Sequence, residues 1–308
     1  MNGRGQLPVV LTDSLPDVLL AELYGLVDSG RIRFGDLNEV RLRTGRPASL
    51  TCAGENRVLA AKITPAQMEE CVTRLCRGSV YAHGETIREG YLMAEGGLRV
   101  GVCGRCDEGS GSVREITSLN IRIPHMVRDV CGGVYRRCLQ SGRAASMLIY
   151  SPPGVGKTTL LRDLAARLSG EGGRRVALID TRGELYIPEM FADSLCDLLV
   201  GYSRARGIEI ATRTLSPEVI VCDELGDADE ARAILSAQNT GVPIIASAHA
   251  ASVGELLRRP NIRMLHEAGI FDCYVGLGRE RINGRLSRCF SFTFTDREAL
   301  CSDMPVRC

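Results

Sequence analysis

Residues 151–160 read SPPGVGKTTL and lie between the apolar segment MLIY and a leucine-rich run. Proline and glycine at this density predict a tight turn, with a strand before it and a helix after it. Such a turn points several backbone N–H groups at one place, and the helix N-terminus adds its partial positive charge there. This arrangement is typical of a loop that binds phosphate.

The loop follows the pattern GxxxxGK[ST] of nucleotide-binding proteins except at its first position, which is Ser151. Lys157 is expected to reach the β- and γ-phosphates of ATP, and the Thr158 hydroxyl is expected to bind Mg²⁺. A glycine–proline turn with an incidental lysine is the alternative, and it leaves the strand–turn–helix context unexplained. We expect nucleotide contacts along the whole loop, from Ser151, Pro152, Pro153, Gly154, Val155, Gly156, Lys157, Thr158 and Thr159.

The segment EVIVCDEL supplies carboxylates at the end of another apolar run. Asp223 is expected to bind Mg²⁺, partly through water, and Glu224 to orient or deprotonate the attacking water. Acidic residues after a strand often only cap the next helix, so this interpretation depends on the phosphate loop upstream. Together the two motifs predict an ATPase.

Two further segments end in ionisable residues. RVALIDTRGEL ends a strand with Asp180 and carries Glu184 four residues later, which is a rival for the general base. IIASAHA ends a strand with His249, which is either a hydrogen-bond donor to the γ-phosphate or an ordinary surface histidine. Because ligands of parallel sheets bind beyond the carboxyl ends of the strands, we expect these side chains to share one site with the loop.

The second part of the chain, residues 126–308, is predicted to be an α/β domain with a parallel sheet. MLIY, RVALID, EVIVCDE, VPIIASAH and CYVGL are short apolar segments, and helical stretches separate them. RINGRLSRCFSFTF then predicts a C-terminal β-hairpin that turns at Asn283 and Gly284.

Residues 1–125 are predicted to be a smaller α+β domain. PDVLLAELYGLVDS predicts an amphipathic helix with Ser14 as its cap and Pro16 in its first turn. Thr64 and Gln67 have the spacing of a capping box for a second helix. LNEVRLR and TSLNIRI predict strands, and GYLMAEGGLRVGVCG predicts a hairpin.

Composition narrows the function classes. The chain has 308 residues, 44% of them apolar, with 38 basic and 37 acidic side chains. This balance, with 5% aromatic residues and no Trp, argues against nucleic acid as a partner and against a DNA-dependent ATPase. No apolar run approaches the ~18 residues that span a bilayer, so a cytoplasmic protein is expected.

The 13 cysteines are expected to be reduced and mostly buried. Cys103 and Cys106 have the spacing of half a zinc site, but no second pair follows in the sequence. A turn between strands, favoured by Gly104, is therefore the preferred interpretation.

Several segments together resemble the stage III sporulation protein AA family, a relative of the type II and type IV pilus and secretion ATPases. They are SPPGVGKTTLLRDL, TLSPEVIVCDELGD, NTGVPIIASAHAASVGELLRRP, NEVRLRTGRP and GYLMAEGGLRVGVCGR. The resemblance covers residues 37–280 and implies a RecA-like P-loop fold and an ATP-driven motor for a channel between mother cell and forespore. It also implies a homo-oligomer, most simply a hexamer, in the mother-cell cytoplasm, with a membrane-anchored sporulation protein as its docking partner.

The resemblance also assigns individual residues to the motifs of the family. Lys157 and Thr158 fall on the Walker A motif, Asp223 and Glu224 on Walker B, His249 on the histidine box and Glu184 on the acidic box. Thr181 departs from the family, which usually has a glutamate there. Catalytic arginines are implied in the N-terminal domain, and Arg99 and Arg122 are the candidates, ahead of Arg105.

Two other hypotheses stay open. An ATP-binding scaffold with little turnover would need Lys157 but neither Glu184 nor Glu224. A small-molecule kinase would need a lid that binds the phosphate acceptor, and no such segment is recognisable. The carboxylates favour the motor.

Overall fold

The computed structural model describes residues 7, 9–107, 113–124, 126–282 and 285–302. The chain divides into two compact units, Met1–His125 and Met126–Cys308. Among the described residues, no helix combines the length and the apolar character needed to cross a membrane.

The N-terminal unit is built on an antiparallel sheet in the order β3-β2-β1-β6-β5-β4. Its strands are β1 Leu37–Arg43, β2 Pro47–Cys52, β3 Glu55–Lys62, β4 Tyr91–Ala94, β5 Leu98–Cys106 and β6 Val113–Arg122. Its helices are α1 Val9–Ser14, α2 Asp17–Asp28, α3 Pro65–Leu75 and α4 Gly84–Arg88. The predicted capping box starts α3, since the Thr64 side chain accepts from the Gln67 N–H and the Gln67 side chain accepts from the Thr64 N–H.

The two faces of this sheet differ. One face and the helices form a core that includes Leu23, Val40 and Ile121, all fully buried. The opposite face carries the polar members of the alternating strands, which are half-buried or exposed. We call its positively charged part the arginine face, which is formed by Arg41, Arg43, Arg99 and Arg122 and also carries Glu39.

Two local predictions for this unit are wrong. Helix α2 begins at Asp17 with Pro16 at its N-cap, while Ser14 is the buried last residue of α1. Pro16 has an extended ψ of 141°, so it separates the two helices. The N-terminus of α2 therefore begins after Pro16, too far along the chain for Ser14 to be its N-cap.

The Cys103–Cys106 segment is strand rather than turn. Both cysteines are exposed in β5, whose register with β6 shifts on either side of Gly104 and Arg105. A Cβ on Gly104 would lie 2.2 Å from the Glu115 carbonyl oxygen. Gly104 therefore permits a close backbone approach at an irregular pairing, which is the other common use of glycine within a strand.

The C-terminal unit contains a seven-stranded sheet in the order β13-β12-β7-β11-β10-β8-β9. Its strands are β7 Met147–Ser151, β8 Val176–Asp180, β9 Cys196–Val200, β10 Val219–Glu224, β11 Ile244–His249, β12 Cys273–Ile282 and β13 Arg285–Asp296. Its helices are α5 Gly132–Cys138, α6 Lys157–Ser169, α7 Pro188–Phe191, α8 Arg204–Ile210, α9 Ala228–Gln238, α10 Val253–Leu257, α11 Pro260–Glu267 and α12 Arg297–Ser302.

Neighbouring strands of this sheet are parallel except for β12 and β13, which form the predicted C-terminal hairpin; its turn at Asn283 and Gly284 lies outside the described residues. Strands β7 and β8 are buried at every position, as expected for a parallel sheet covered on both faces. The α/β class is thereby confirmed. Strand β9 was not predicted, because it is a short edge strand whose Asp197 interrupts the apolar run.

Seven of the 11 described cysteines are buried, in agreement with their expected role as small apolar side chains. Burial raises the pKa of the Cys71 thiol to about 12 and that of Cys138 to about 11. These thiols therefore stay protonated near neutral pH and are poor nucleophiles.

Candidate nucleotide-binding site

The glycine-rich loop connects the carboxyl end of β7 to the start of α6. Ser151 is the buried last residue of the strand, and Lys157 is the first residue of the helix. Gly154 and Gly156 have φ angles of +77° and +122°, which only glycine adopts readily. The first N–H groups of α6 have no acceptor within the helix, so the loop can present them to an anion.

Lys157 is held inside the loop rather than extended into solvent. Its side chain is 7% exposed, and its Nζ donates to the Ser151 carbonyl oxygen at 3.1 Å. The same Nζ lies 2.7 Å from Nδ1 of His249. Burial lowers the pKa of this ammonium below its ordinary value, while Glu224 acts in the opposite direction.

His249 links the loop lysine to the end of strand β10. Its Nε2 lies 3.3 Å from Oε2 of Glu224, which ends the neighbouring strand β10. An ammonium group can only donate, so Nδ1 of His249 accepts from Lys157 and Nε2 carries the hydrogen that faces Glu224. Lys157, His249 and Glu224 thus form one hydrogen-bonded chain.

Asp223, the residue before Glu224, has a different partner. Its Oδ1 accepts from Nε of Arg204 at 2.5 Å, and Nη1 of Arg204 donates to Oε1 of Glu230 at 2.8 Å. All three side chains are largely buried. Burial raises the pKa of Asp223, Arg204 opposes that rise, and the charges of Asp180 and Glu184 add to it.

Asp180 organises the segment that carries Glu184. Its fully buried carboxylate accepts the backbone N–H groups of Glu184, Leu185 and Tyr186 at 2.8–2.9 Å. Arg162 of α6 donates to the carbonyl oxygens of Glu184 and Leu185. Asp180 is therefore a structural residue, and Glu184 is held at the same edge of the sheet as Asp223.

Thr181 lies in this segment, directly after Asp180. Its Oγ1 is buried and has no hydrogen-bond partner among the described residues.

The candidate arginines belong to the N-terminal unit. Arg99 and Arg122 are direct cross-strand partners on β5 and β6, and Arg122 faces Glu39 of β1 at 3.5 Å. Arg105, beyond the irregular pairing at Gly104, lies 3.5 Å from Glu115, and both side chains are at least half exposed. Arg99 and Arg122 therefore lie on one surface, the arginine face.

The donor set fits a polyphosphate with a divalent cation. The loop combines oriented N–H groups with a buried cation, Lys157. The Thr158 hydroxyl, in the first turn of α6, and the Asp223 carboxylate, at the end of β10, are the hard oxygen ligands that Mg²⁺ prefers.

The sequence interpretation missed Arg204 and Glu230. Arg204 opens α8 directly after the unpredicted strand β9, so recognising that strand would have directed attention to the charged run that follows it. Glu230 also closes a capping box with Asp227 at the start of α9. That pattern was readable in the sequence, although its ion pair with Arg204 was not.

Comparisons with known proteins agree with this architecture. The family described as "Sporulation stage III, protein AA" matches residues 12–292. The chain is also similar to "Stage III sporulation protein AA" of Bacillus subtilis (strain 168), with 34% identity over 268 residues that cover 83% of this chain and 87% of the relative.

Solved structures share the fold at low sequence identity. The ATPase DotB of Legionella pneumophila superposes with a TM-score of 0.65 at 13% identity, covering 98% of this chain and 87% of DotB. The pilus retraction motor PilT with bound ADP gives a TM-score of 0.66 at 15% identity, covering 97% and 87%. The predicted relation to pilus and secretion ATPases is thereby confirmed at the level of the fold.

Proposed function

This chain belongs to the sporulation stage III protein AA family, and we propose that it is a Mg²⁺-dependent ATPase that drives a secretion or channel complex. The observation that carries the proposal is the hydrogen-bonded chain from Lys157 through His249 to Glu224. It joins the phosphate loop to a carboxylate able to activate water, which a scaffold that only binds ATP does not need.

In this proposal each residue has one task. Lys157 neutralises charge on the β- and γ-phosphates, and the loop N–H groups fix their position. Glu224 accepts a proton from the attacking water. His249 lies between Lys157 and Glu224 and donates its Nε2–H to Glu224. It therefore connects the lysine that contacts the terminal phosphate to strand β11, and a change at the phosphate is transmitted to that strand.

The metal site in the proposal is formed by Thr158 and Asp223. Mg²⁺ held there would neutralise part of the phosphate charge. Arg204 opposes the rise in the pKa of Asp223 that burial causes, and its hydrogen bond fixes the direction of the carboxylate. Glu184 is the rival for the general base, because it lies at the same edge of the sheet.

Further parts of the proposal follow from family membership. The motor is a homo-oligomer, most simply a hexamer, in the mother-cell cytoplasm, and a membrane-anchored sporulation protein recruits it to the membrane. Arg99 and Arg122 are proposed to act on ATP bound to a neighbouring copy. Their fork-shaped guanidinium groups suit the oxygens of a transferring phosphoryl group.

Phosphate release tests the proposal directly. The purified chain with ATP and Mg²⁺ should release phosphate without any added acceptor, and it should sediment as an oligomer. Lys157→Ala should weaken ATP binding by roughly 30- to 5000-fold, because a buried and hydrogen-bonded charge is lost. Tight ATP binding without phosphate release would instead identify a scaffold.

The chain offers a matched control for this variant. Lys62 and Lys157 are its two lysines, and Lys62 is exposed on β3. Lys62→Ala should leave ATP affinity unchanged. Equal effects of the two substitutions would contradict the assignment of the loop.

A further inference from the structure

The C-terminal hairpin packs against the phosphate loop. Arg279 of β12 and Phe290 of β13 are direct cross-strand partners, and the Arg279 guanidinium carbon lies 4.8 Å from the centre of the Phe290 ring. Nη1 of Arg279 donates to the Val155 carbonyl oxygen at 3.4 Å. This pair therefore contacts the loop that is proposed to hold the nucleotide.

Gly156 is required for this contact. A Cβ built on Gly156 would lie 2.8 Å from Cε1 and Cζ of Phe290, which is closer than real Cβ atoms come. The absence of a side chain thus lets the ring lie directly on the loop backbone. Both Arg279 and Phe290 are half-buried, so part of their surface stays open to a ligand.

The order of the strands puts this pair on one particular side of the loop. β7, which leads into the loop, has β12 on one side, and β11 followed by β10 on the other. His249 and Glu224 end β11 and β10, so the terminal phosphate belongs on that side. A nucleotide lying across the loop then directs its base away from them, towards β12 and β13.

The chemistry of the pair suits a base. An aromatic ring and a planar guanidinium both stack on the π-face of a nucleobase. We propose that Arg279 and Phe290 form the base-binding subsite of this enzyme and that Phe290 stacks on a purine. The inference rests on the proposed function, since it assumes that the loop binds a nucleoside triphosphate.

Comparing two ligands separates base binding from support of the loop. ATP and inorganic tripolyphosphate share the phosphates, and only ATP has a base. Phe290→Ala should weaken ATP binding by roughly 5- to 150-fold, the range that corresponds to ~1–3 kcal/mol of stacking, and leave tripolyphosphate binding unchanged. Phe290→Tyr, which keeps a stacking ring, should retain wild-type affinity for both ligands.

Phe294 provides the control, because it lies on the same strand and is 39% exposed, but it pairs with Val275 instead of Arg279. Phe294→Ala should bind both ligands as the wild-type chain does. Equal weakening of ATP and tripolyphosphate by Phe290→Ala would overturn the inference, because the hairpin would then only support the loop.

Failure of the proposed function has a different signature. Lys157→Ala should weaken the binding of both ligands, because Lys157 acts on the phosphates. A wild-type chain that binds neither ligand would overturn the proposed function and the subsite with it. A wild-type chain that binds ATP, with a Phe290→Ala variant of equal ATP affinity, would overturn the subsite alone.

Discussion

The charged side chains of the two units are arranged in opposite ways. In the C-terminal unit, Asp223, Arg204 and Glu230 are largely buried and bonded to one another. The arginine face of the N-terminal unit has four arginines and one acidic residue, Glu39, which contacts Arg41 and Arg122, and the Arg122 side chain is 59% exposed. Charges matched within a chain hold a geometry fixed, whereas an exposed excess of one sign is suited to act on a second molecule.

The largest effect should come from the arginine face. If Arg99 and Arg122 act on ATP bound to another copy, Arg99→Ala or Arg122→Ala should cut hydrolysis by roughly 10³- to 10⁵-fold with little change in ATP affinity. Hydrolysis per wild-type chain should also rise with protein concentration as the oligomer assembles. Phosphate release measured over a dilution series checks both expectations.

Arg105→Ala is the control for these variants, since Arg105 is exposed on β5 and paired with Glu115. It should hydrolyse ATP nearly as fast as the wild-type chain. Normal turnover in the Arg99 and Arg122 variants, with hydrolysis per chain independent of protein concentration, would contradict the proposal that the arginine face acts on a second copy.

The next effect concerns the proposed general base of the C-terminal unit. Glu224→Gln keeps the shape of the side chain but removes the base, so hydrolysis should fall by roughly 10²- to 10⁴-fold while ATP binding is kept. Single-turnover phosphate release and ATP titration measure the two quantities separately. If Glu184→Gln alone gives this result, the base lies in the segment held by Asp180.

Stability should also distinguish the two arrangements. Arg204→Ala leaves the carboxylates of Asp223 and Glu230 buried without their partner, so the free energy of unfolding should fall by about 3–5 kcal/mol. Arg122→Ala breaks only an exposed ion pair and should cost less than about 1 kcal/mol. Urea unfolding of the full chain compares them.

A second substitution refines the Arg204 experiment. Adding Glu230→Gln removes one of the two unpaired charges and should recover part of the lost stability. Equal stability losses for Arg204→Ala and Arg122→Ala would contradict the contrast between matched and exposed charges.

The smallest expected effect is a pH dependence in the C-terminal unit. His266 is 1% exposed, its Nδ1 lies 2.8 Å from the Tyr274 hydroxyl, and burial lowers its pKa. The folded state therefore binds a proton less readily than the unfolded state. Stability should be full above a pH of about 6.5 and fall by at most about 1.4 kcal/mol per pH unit below it.

His266→Gln should reduce this slope, as measured by urea unfolding between pH 7 and pH 5. His83 of the N-terminal unit, which is half-buried, provides the control substitution His83→Gln. An unchanged slope in the His266 variant would show that another group titrates.

The sequence could predict those parts of the molecule that depend on residues close together in the chain. The phosphate loop, the capping box at Thr64 and the ends of four parallel strands follow from spacing and periodicity within about a dozen residues. The contact between Phe290 and Gly156 does not, because it requires β12 to lie beside β7, with Val275 opposite Ile149. Arg204 was missed for a related reason, since the strand that precedes it, β9, has no continuous apolar run.

The long separation between β7 and its neighbours also sets the order in which the chain can fold. β7 ends at Ser151, yet its partners β11 and β12 begin at Ile244 and Cys273. During synthesis at ~5–20 residues per second, the ribosome needs on the order of 10 s to make this intervening chain. All strands of the N-terminal unit precede residue 125, so that unit can fold first. Until β12 emerges, the phosphate loop lacks one of its two flanking strands. Under the proposed function, ATP can therefore stabilise the nascent C-terminal unit only after β12 has been made.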